Sequence, residues 1–166
     1  MRCELRLAGS GGQGVITVGL ILAEAGIFDG YHVVQTQNYG PEARGGTSVS
    51  DVILSDAEID YPKTLGLDIL LALNQRACDE NLRDMKPDGL VMVDADLVDK
   101  VFWGKVVRVP FSRQSQKKYK QQKFANVLAL GALAPFCSWF STRSLHKAIE
   151  KRMPLVTLPR SIGHCG

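Results

Sequence analysis

The chain has 166 residues, 45% of them hydrophobic and 22% charged, which suits one folded domain with a full core and argues against disorder as its main state. Its net charge of +3 is too small to point to nucleic acid, and no apolar run reaches membrane-spanning length. The four cysteines, Cys3, Cys78, Cys137 and Cys165, are widely spaced without a CxxC pair; this excludes a cluster or zinc site held by neighbouring thiolates and reads as reduced, mostly buried thiols of a cytoplasmic protein.

Glu4–Ala8 alternates Leu5 and Leu7 with charge and predicts a short strand. Gly9–Gly14 is a glycine-rich turn, and Val15–Phe28 a buried helix rich in Leu, Ile and Ala. That apolar helix has no basic flank or cleavage site, against a signal peptide. Tyr31–Thr36 predicts a second strand, completing a strand–turn–helix–strand unit that opens a parallel sheet. Asn38–Thr47 reads as a loop. Ser48–Leu54 reads as a strand that turns at Ser55–Ala57 and returns through Ile59, a hairpin that would make the sheet mixed. Ile69–Leu73 is apolar throughout, like a strand covered on both faces. Gln75–Lys86 is amphipathic and is expected to end as a helix before Pro87 and Gly89. Leu90–Val93 and Val106–Val109 predict further strands, Phe124–Phe136 an apolar helix, and Ser141–Arg152 an amphipathic helix capped by Ser141 or Thr142. The alternation predicts an α/β fold, a three-layer α/β/α sandwich that is Rossmann-like with a mixed, mainly parallel sheet. Residues 1–152 form the expected single domain, with 153–166 as a C-terminal tail, extended or disordered.

Gly9-Ser10-Gly11-Gly12-Gln13-Gly14 matches GxGxxG between a strand and a helix. Such a turn lets backbone approach an anion at the positive end of a helix, and it equally serves as a tight bend that packs the helix on the sheet. A dinucleotide site also needs an acidic residue at the end of the second strand, where Gln35, Thr36 and Gln37 stand instead; this disfavours a nicotinamide cofactor. No Lys-Ser/Thr follows the glycines, so a Walker-type phosphate loop fails as well.

The second loop reads Asn38-Tyr39-Gly40-Pro41-Glu42-Ala43-Arg44-Gly45-Gly46-Thr47-Ser48. In an open sheet with parallel first strands it should share the carboxyl edge with the first glycine turn. Arg44 between glycines could offer a guanidinium to a carboxylate or phosphate, or pair internally with Glu42. With GSGGQGV, the segment YGPEARGGTSVSDVILSD resembles the gamma subunit, or fused gamma domain, of the 2-oxoacid:ferredoxin oxidoreductase family. Asp68–Gln75 (DILLALNQ), the Lys86–Gly89 turn leading to Asp94, and Asn126–Ala132 (NVLALGA) extend the likeness over about residues 3–152.

The resemblance implies a complex that decarboxylates a 2-oxoacid on thiamine diphosphate, passes electrons singly through iron–sulfur clusters to ferredoxin, and transfers the acyl group to coenzyme A. It implies thiamine diphosphate and Mg²⁺ on alpha and beta subunits, and clusters on the beta and a ferredoxin-like delta subunit. No cofactor is then bound by this chain alone. Its expected role is structural, with a contribution to the coenzyme A site or to a subunit interface. Gly9, Gly11, Gly12, Gln13 and Gly14 form one candidate contact loop, and Tyr39, Gly40, Pro41, Glu42, Arg44, Gly45 and Gly46 the other; none has a catalytic or metal-binding role. A short stand-alone chain is most similar to the 2-oxoglutarate type. The segment Met153–Arg160 and beyond departs from the family's usual helical tail.

The basic run Arg113–Lys123 reads most simply as a solvated loop and helix start, with an anionic partner as the alternative. His32, His146 and His164 are well separated, and no Ser/His/Asp arrangement points to a hydrolase. Two competing functions remain: an independent coenzyme A- or nucleotide-binding module, and a free-standing dehydrogenase, which the absent ribose-binding acid opposes.

Overall fold

The computed structural model of the chain describes residues 1–39 and 46–153. Six strands, β1 (Arg2–Ser10), β2 (His32–Tyr39), β3 (Thr47–Ser55), β4 (Leu67–Ala72), β5 (Met85–Asp94) and β6 (Val106–Val109), form one sheet in the order β2-β3-β1-β4-β5-β6. β1, β4, β5 and β6 pair in parallel, while β3 runs antiparallel to both β1 and β2. β3 is therefore the one reversed strand, and the expected mixed, mainly parallel sheet is present.

Helices α1 (Val15–Phe28), α2 (Gln75–Asn81), α3 (Phe111–Tyr119), α4 (Ala125–Leu133) and α5 (Thr142–Arg152) cover the two faces unequally. Leu5, Leu7, Val52, Leu54, Leu71 and Met92 form one apolar face with α1, α4, α5 and Phe111 of α3. On the other face Ala8, Leu70, Ala72, Val91 and Val93 pack on Ala77 and Cys78 of α2, and on Val98 and Trp103 of the segment after β5. Because side chains alternate along a strand, β1 sends its leucines to the first face and Glu4 and Arg6 to the second.

Three sequence expectations need correction. The hairpin joins β2 to β3 across residues 40–46, not Ser48–Leu54 to Ile59. The far side of β3 is already taken by β1, and residues 57–66 hold no strand; their backbone is pinned instead, with Leu65 N and Gly66 N donating to the Glu4 carboxylate at 2.9 and 2.8 Å. The helix expected to reach Lys86 stops at Asn81, and a 3-10 turn, Leu82–Asp84, delivers Met85 into β5 opposite Leu67. Pro87 and Gly89 lie in an excursion of β5, where pairing jumps from Met85 to Leu90, so the Pro nitrogen faces no ladder partner. Finally, the basic run is largely helix: α3 spans Arg113–Lys118 and ends where Lys120 turns left-handed, at φ 59°. The expected tail beyond Met153 lies outside the described residues. None of the helices among the described residues is long and apolar enough to cross a membrane.

α1 approaches β3 closely. A Cβ on Gly19 would stand 1.9 Å from Ser50 Oγ, and one on Gly26 would stand 2.4 Å from Leu54 Cδ2. α5 is fastened to α1 by polar contacts at both ends. Asp29, just past α1, accepts bonds from Ser141 N, Ser141 Oγ and Ser144 Oγ, while Glu24 pairs with Lys151 at 2.9 Å and Arg152 at 3.1 Å. Ser141 also caps α5, accepting from Ser144 N at 3.1 Å.

Gly19→Ala is expected to lower unfolding stability by about 1–3 kcal/mol, because overpacking against Ser50 outweighs the roughly 1 kcal/mol helix-propensity gain. Urea denaturation checks this, and adding Ser50→Gly should recover most of the loss. A second expectation concerns acid. Burial pushes the Asp29 and Glu24 carboxyls up, but the serines on Asp29 and the two cations on Glu24 outweigh it, leaving both below their ordinary values. Their contribution is full above the unfolded carboxylate range and is lost as pH falls through the depressed folded values. Both sites are partly solvated, so the loss should be roughly 1 kcal/mol or less. Asp29→Asn should flatten that part of the stability–pH curve measured by denaturant titration.

Candidate functional site

β1 ends at Ser10, and the chain bends through a 3-10 turn, Gly11–Gln13, before α1 begins at Val15. The Gln13 carboxamide folds back into the bend. Its Oε1 accepts from Ser10 N at 2.8 Å and from Asn74 Nδ2 at 3.0 Å, and its Nε2 donates to Leu73 O at 2.9 Å. Asn74 in turn caps α2, accepting from Ala77 N at 2.8 Å. One side chain thus ties the end of β1 to the end of β4 and the start of α2. Gly9 leaves the room it needs, since a Cβ there would sit 2.7 Å from Gln13 Oε1.

Gly14 adopts φ 70°, ψ 29°, a left-handed conformation that favours glycine, and a Cβ would also meet Asn126 Nδ2 at 2.5 Å. Asn126, buried at the start of α4, donates to Gly14 O at 3.3 Å. Gly11 and Gly12 differ from these two. Among the described residues, a Cβ on Gly11 would meet only Ser48 Oγ at 3.9 Å, and one on Gly12 would meet nothing within 4 Å.

The second candidate loop leaves and rejoins the fold beside this turn. Tyr39, 63% exposed, pairs with Ser48, and Thr47 pairs with Ser10. Gly46 is half-buried just before β3. Gly40, Pro41, Glu42, Arg44 and Gly45 lie outside the described residues. The ends of the second loop and the whole first loop share the carboxyl rim of β1 and β2. Thr47 Oγ1 donates to Glu80 Oε2 of α2 at 3.0 Å, which ties this rim to the opposite helical layer.

The crossovers diverge at the same rim: α1 leaves β1 on one face and α2 leaves β4 on the other, the place where open α/β sheets form ligand crevices. A cleft of about 270 Å³ lies there, lined by Gly12, Gln13, Leu73, Asp94, Lys123 and Asn126 among others. Asp94 at the end of β5 is fully buried; its Oδ2 accepts from Ser112 Oγ at 2.6 Å and Ser112 N at 3.2 Å, and its Oδ1 from Asp96 N at 3.0 Å. That carboxylate anchors the start of α3 and the turn after β5. The cleft carries amide, hydroxyl and ammonium groups suited to holding a partner or anion, and its Ser112 faces a carboxylate rather than a histidine base. Among the described residues no group of three or more His, Cys, Asp and Glu converges to hold a metal ion.

The glycine turn was visible in the sequence pattern, but the internal bonds of Gln13 and the jobs of Asn74, Asn126 and Ser112 were not. Asn126 stood within a family-like segment, and Asn74 preceded a helical pattern as an N-cap should. Gln13→Ala removes three part-buried hydrogen bonds and should cost about 2–3 kcal/mol at roughly 1 kcal/mol each. Thermal unfolding reads the loss, and amide exchange at Ser10 should quicken beyond the global change.

The description "Pyruvate ferredoxin/flavodoxin oxidoreductase" belongs to the family model that matches residues 4–157. The chain is 44% identical over 167 residues to the 2-oxoglutarate synthase subunit KorC of Methanocaldococcus jannaschii, covering 98% of this chain and 89% of that one. It superposes with TM-score 0.81 and 41% identity on the gamma subunit of a keto/oxoacid ferredoxin oxidoreductase from Geobacter sulfurreducens, over 92% of this chain and 87% of that one. A 2-oxoglutarate:ferredoxin oxidoreductase from Magnetococcus marinus, solved with 2-oxoglutarate, coenzyme A and succinyl-CoA, matches with TM-score 0.80 and 25% identity, over 92% of this chain but 27% of that longer one. With a family model covering most of its length and a full-length relative, the chain belongs to the pyruvate ferredoxin/flavodoxin oxidoreductase family.

Proposed function

We propose that the chain is the gamma subunit of a cytoplasmic 2-oxoglutarate:ferredoxin oxidoreductase, folded as one domain over residues 1–152 and working with separate alpha and beta subunits and a ferredoxin-like delta subunit. The carrying observation is the match to a KorC subunit over 98% of this chain and 89% of that one. Thiamine diphosphate with Mg²⁺ and iron–sulfur clusters on the partners supply decarboxylation and electron transfer in this reading. The contribution of this chain, in the same reading, is to bind and orient.

The contact surface in this reading is the carboxyl rim, formed by Gly9, Gly11, Gly12, Gln13, Gly14, Tyr39 and Gly46 with Gly40, Pro41, Glu42, Arg44 and Gly45. Packing among the described residues accounts for Gly9 and Gly14 but not for Gly11 and Gly12. Glycine at such a position suits the close approach of a body from outside, a partner subunit or coenzyme A. Tyr39 beside them adds an exposed aromatic ring, a side chain enriched at subunit contacts.

Affinity purification of the tagged chain from its native source should bring down a thiamine-dependent pair. The assembly should reduce ferredoxin with 2-oxoglutarate and coenzyme A faster than with pyruvate or a branched-chain oxoacid. The lone chain should be inactive; a chain that runs alone defeats the proposal. Gly12→Leu should leave the melting temperature of the isolated chain unchanged while weakening co-purification or raising the KM for coenzyme A. Tight calorimetric binding of coenzyme A or ATP by the lone chain would favour an independent ligand-binding module instead.

A further inference from the structure

The two edges of the sheet are built differently. β6 is four residues long, carries Arg108, follows Lys105 and runs into Pro110, which has no N–H to offer. β2 is eight residues long and reads His32-Val33-Val34-Gln35-Thr36-Gln37-Asn38-Tyr39, without a Lys, Arg, Asp, Glu, Pro or Gly. Each of these residues faces one residue of β3, so no bulge interrupts the strand. No described element pairs with its outer side, and Thr36–Tyr39 are exposed. Soluble proteins protect a sheet edge from pairing by charge, proline, a bulge, shortness or a covering segment. β6 uses several of these devices, and β2 shows none among the described residues.

Alternation along the ladders fixes which backbone groups of β2 point outward. Ala8 O accepts from Leu73 N at 2.9 Å, and Glu4 N donates to the Asp68 carboxylate of β4 at 2.8 Å. The even-numbered residues of β1 therefore face β4, and the odd-numbered ones face β3. Leu5 pairs with Val52, and Asp51 pairs with Thr36, which carries the alternation across the sheet. The even-numbered residues of β2 bond to β3. The N–H and C=O groups of Val33, Gln35, Gln37 and Tyr39 point away from the sheet.

We propose that this edge pairs with the same edge of a second copy of the chain, antiparallel across a two-fold axis at Thr36, so that the two sheets become one. Between copies Val33 then faces Tyr39, Val34 faces Asn38, Gln35 faces Gln37, and Thr36 faces its counterpart. Every outward N–H and C=O of the four odd-numbered residues meets a partner. A slip by one residue would set outward groups against inward ones and turn side chains to the wrong face. The facing pairs are aromatic on β-branched, amide on amide and threonine on threonine, and no like charges oppose. Tyr39, 63% exposed, gains an apolar neighbour in Val33 of the second copy. The strand is thus its own complement, which singles out a second copy over an unrelated polypeptide. A two-fold contact uses each β2 edge once, and the blunted β6 edge does not extend it, so the product is a closed dimer rather than a fibre. The inference does not depend on the subunit assignment.

Sedimentation equilibrium of the full chain over a range of concentrations tests this. The expected result is a reversible dimer of twice the chain mass. Thr36→Lys and Thr36→Glu each place like charges on the axis, and each should lose the dimer while keeping the circular dichroism of the fold. Mixing the two variants should restore a dimer containing one of each. On the unsubstituted chain, amide exchange at Val33, Gln35, Gln37 and Tyr39 should slow as concentration rises through the dimer range. A chain that stays monomeric at every concentration overturns the proposal, and means that residues 154–166 or a different subunit take the edge. A dimer that Thr36→Lys leaves intact overturns it too, as does a mixture of folded variants that stays monomeric. Because mass and exchange are read on the unsubstituted chain, a variant that fails to fold does not block the test.

Discussion

The placement of α1 against β3 governs the architecture. Gly19 and Gly26 lie one above the other on the helix face, seven positions apart, and withhold side chains exactly where Ser50 and Leu54 rise from the strand. Ser50 uses its hydroxyl to accept from Gln35 Nε2 at 2.8 Å, joining β2 to β3 beneath the helix. The helix thus covers a strand that stands between its own two flanking strands. β3 is inserted between β1 and β2, and its reversed direction returns the chain to the rim it left. The two candidate loops become neighbours because of that insertion, although more than twenty residues separate them along the chain.

The second face of the sheet is organised by charge. Arg6 lies in the middle of the central strand, where burial alone would disfavour its cation. Asp51 outweighs this, with a fork of bonds at 2.7 and 3.0 Å, and Asp84 adds to it, so the guanidinium is held more firmly protonated than usual. Asn81 and Thr64 accept its remaining N–H groups at 3.2 Å. Glu4, 2% exposed, is likewise satisfied by Arg2 and the backbone of Leu65 and Gly66. A buried charge stripped of one partner is costly, so these networks fix the loop at 57–66 and the end of α2 against β1. The leucines of the first face supply burial, and the ions of the second supply register.

Local patterns were legible where they matched their tertiary surroundings. Val15–Phe28 and Val106–Val109 stand with the bounds that hydrophobic patterning gave, because a long apolar run after a glycine turn and a short apolar run between polar segments each admit few alternatives. The misread hairpin shows the opposite case. Ser55–Ala57 carries turn residues, but a turn signal does not say whether the next segment pairs, and Glu4 had already claimed the backbone there. The helix at 75–86 was overextended because Met85 continues its apolar stripe, while pairing with Leu67 outweighs helical propensity at that residue. The cleft that Cys3 and Cys137 both line carried no sequence signal, since only closure of the sheet with the α4–α5 connection brings those positions to one wall. Within the candidate site, the glycine turn was readable, but the partners of Gln13 lie on β4 and α2, beyond the reach of local pattern.

A glycine-rich turn after a strand is commonly taken as a sign of nucleotide binding, and here the pattern divides into two groups with different causes. Gly9 makes room for a glutamine amide, and Gly14 supplies a left-handed bend beneath Asn126. Both would be needed if nothing ever touched this rim. Among the described residues, nothing makes the same demand of Gly11 and Gly12. Glycine costs conformational entropy on folding relative to alanine, and among the described residues no close contact at Gly11 or Gly12 offsets that cost. In the proposed reading the compensation comes from a partner outside the chain. A body that meets the backbone at van der Waals distance would be displaced by even a methyl group, and the adjacent Tyr39 and the ends of the second loop widen the area it can cover. The proposed partner contact therefore treats the turn as a landing surface braced by the internal hydrogen bonds of Gln13.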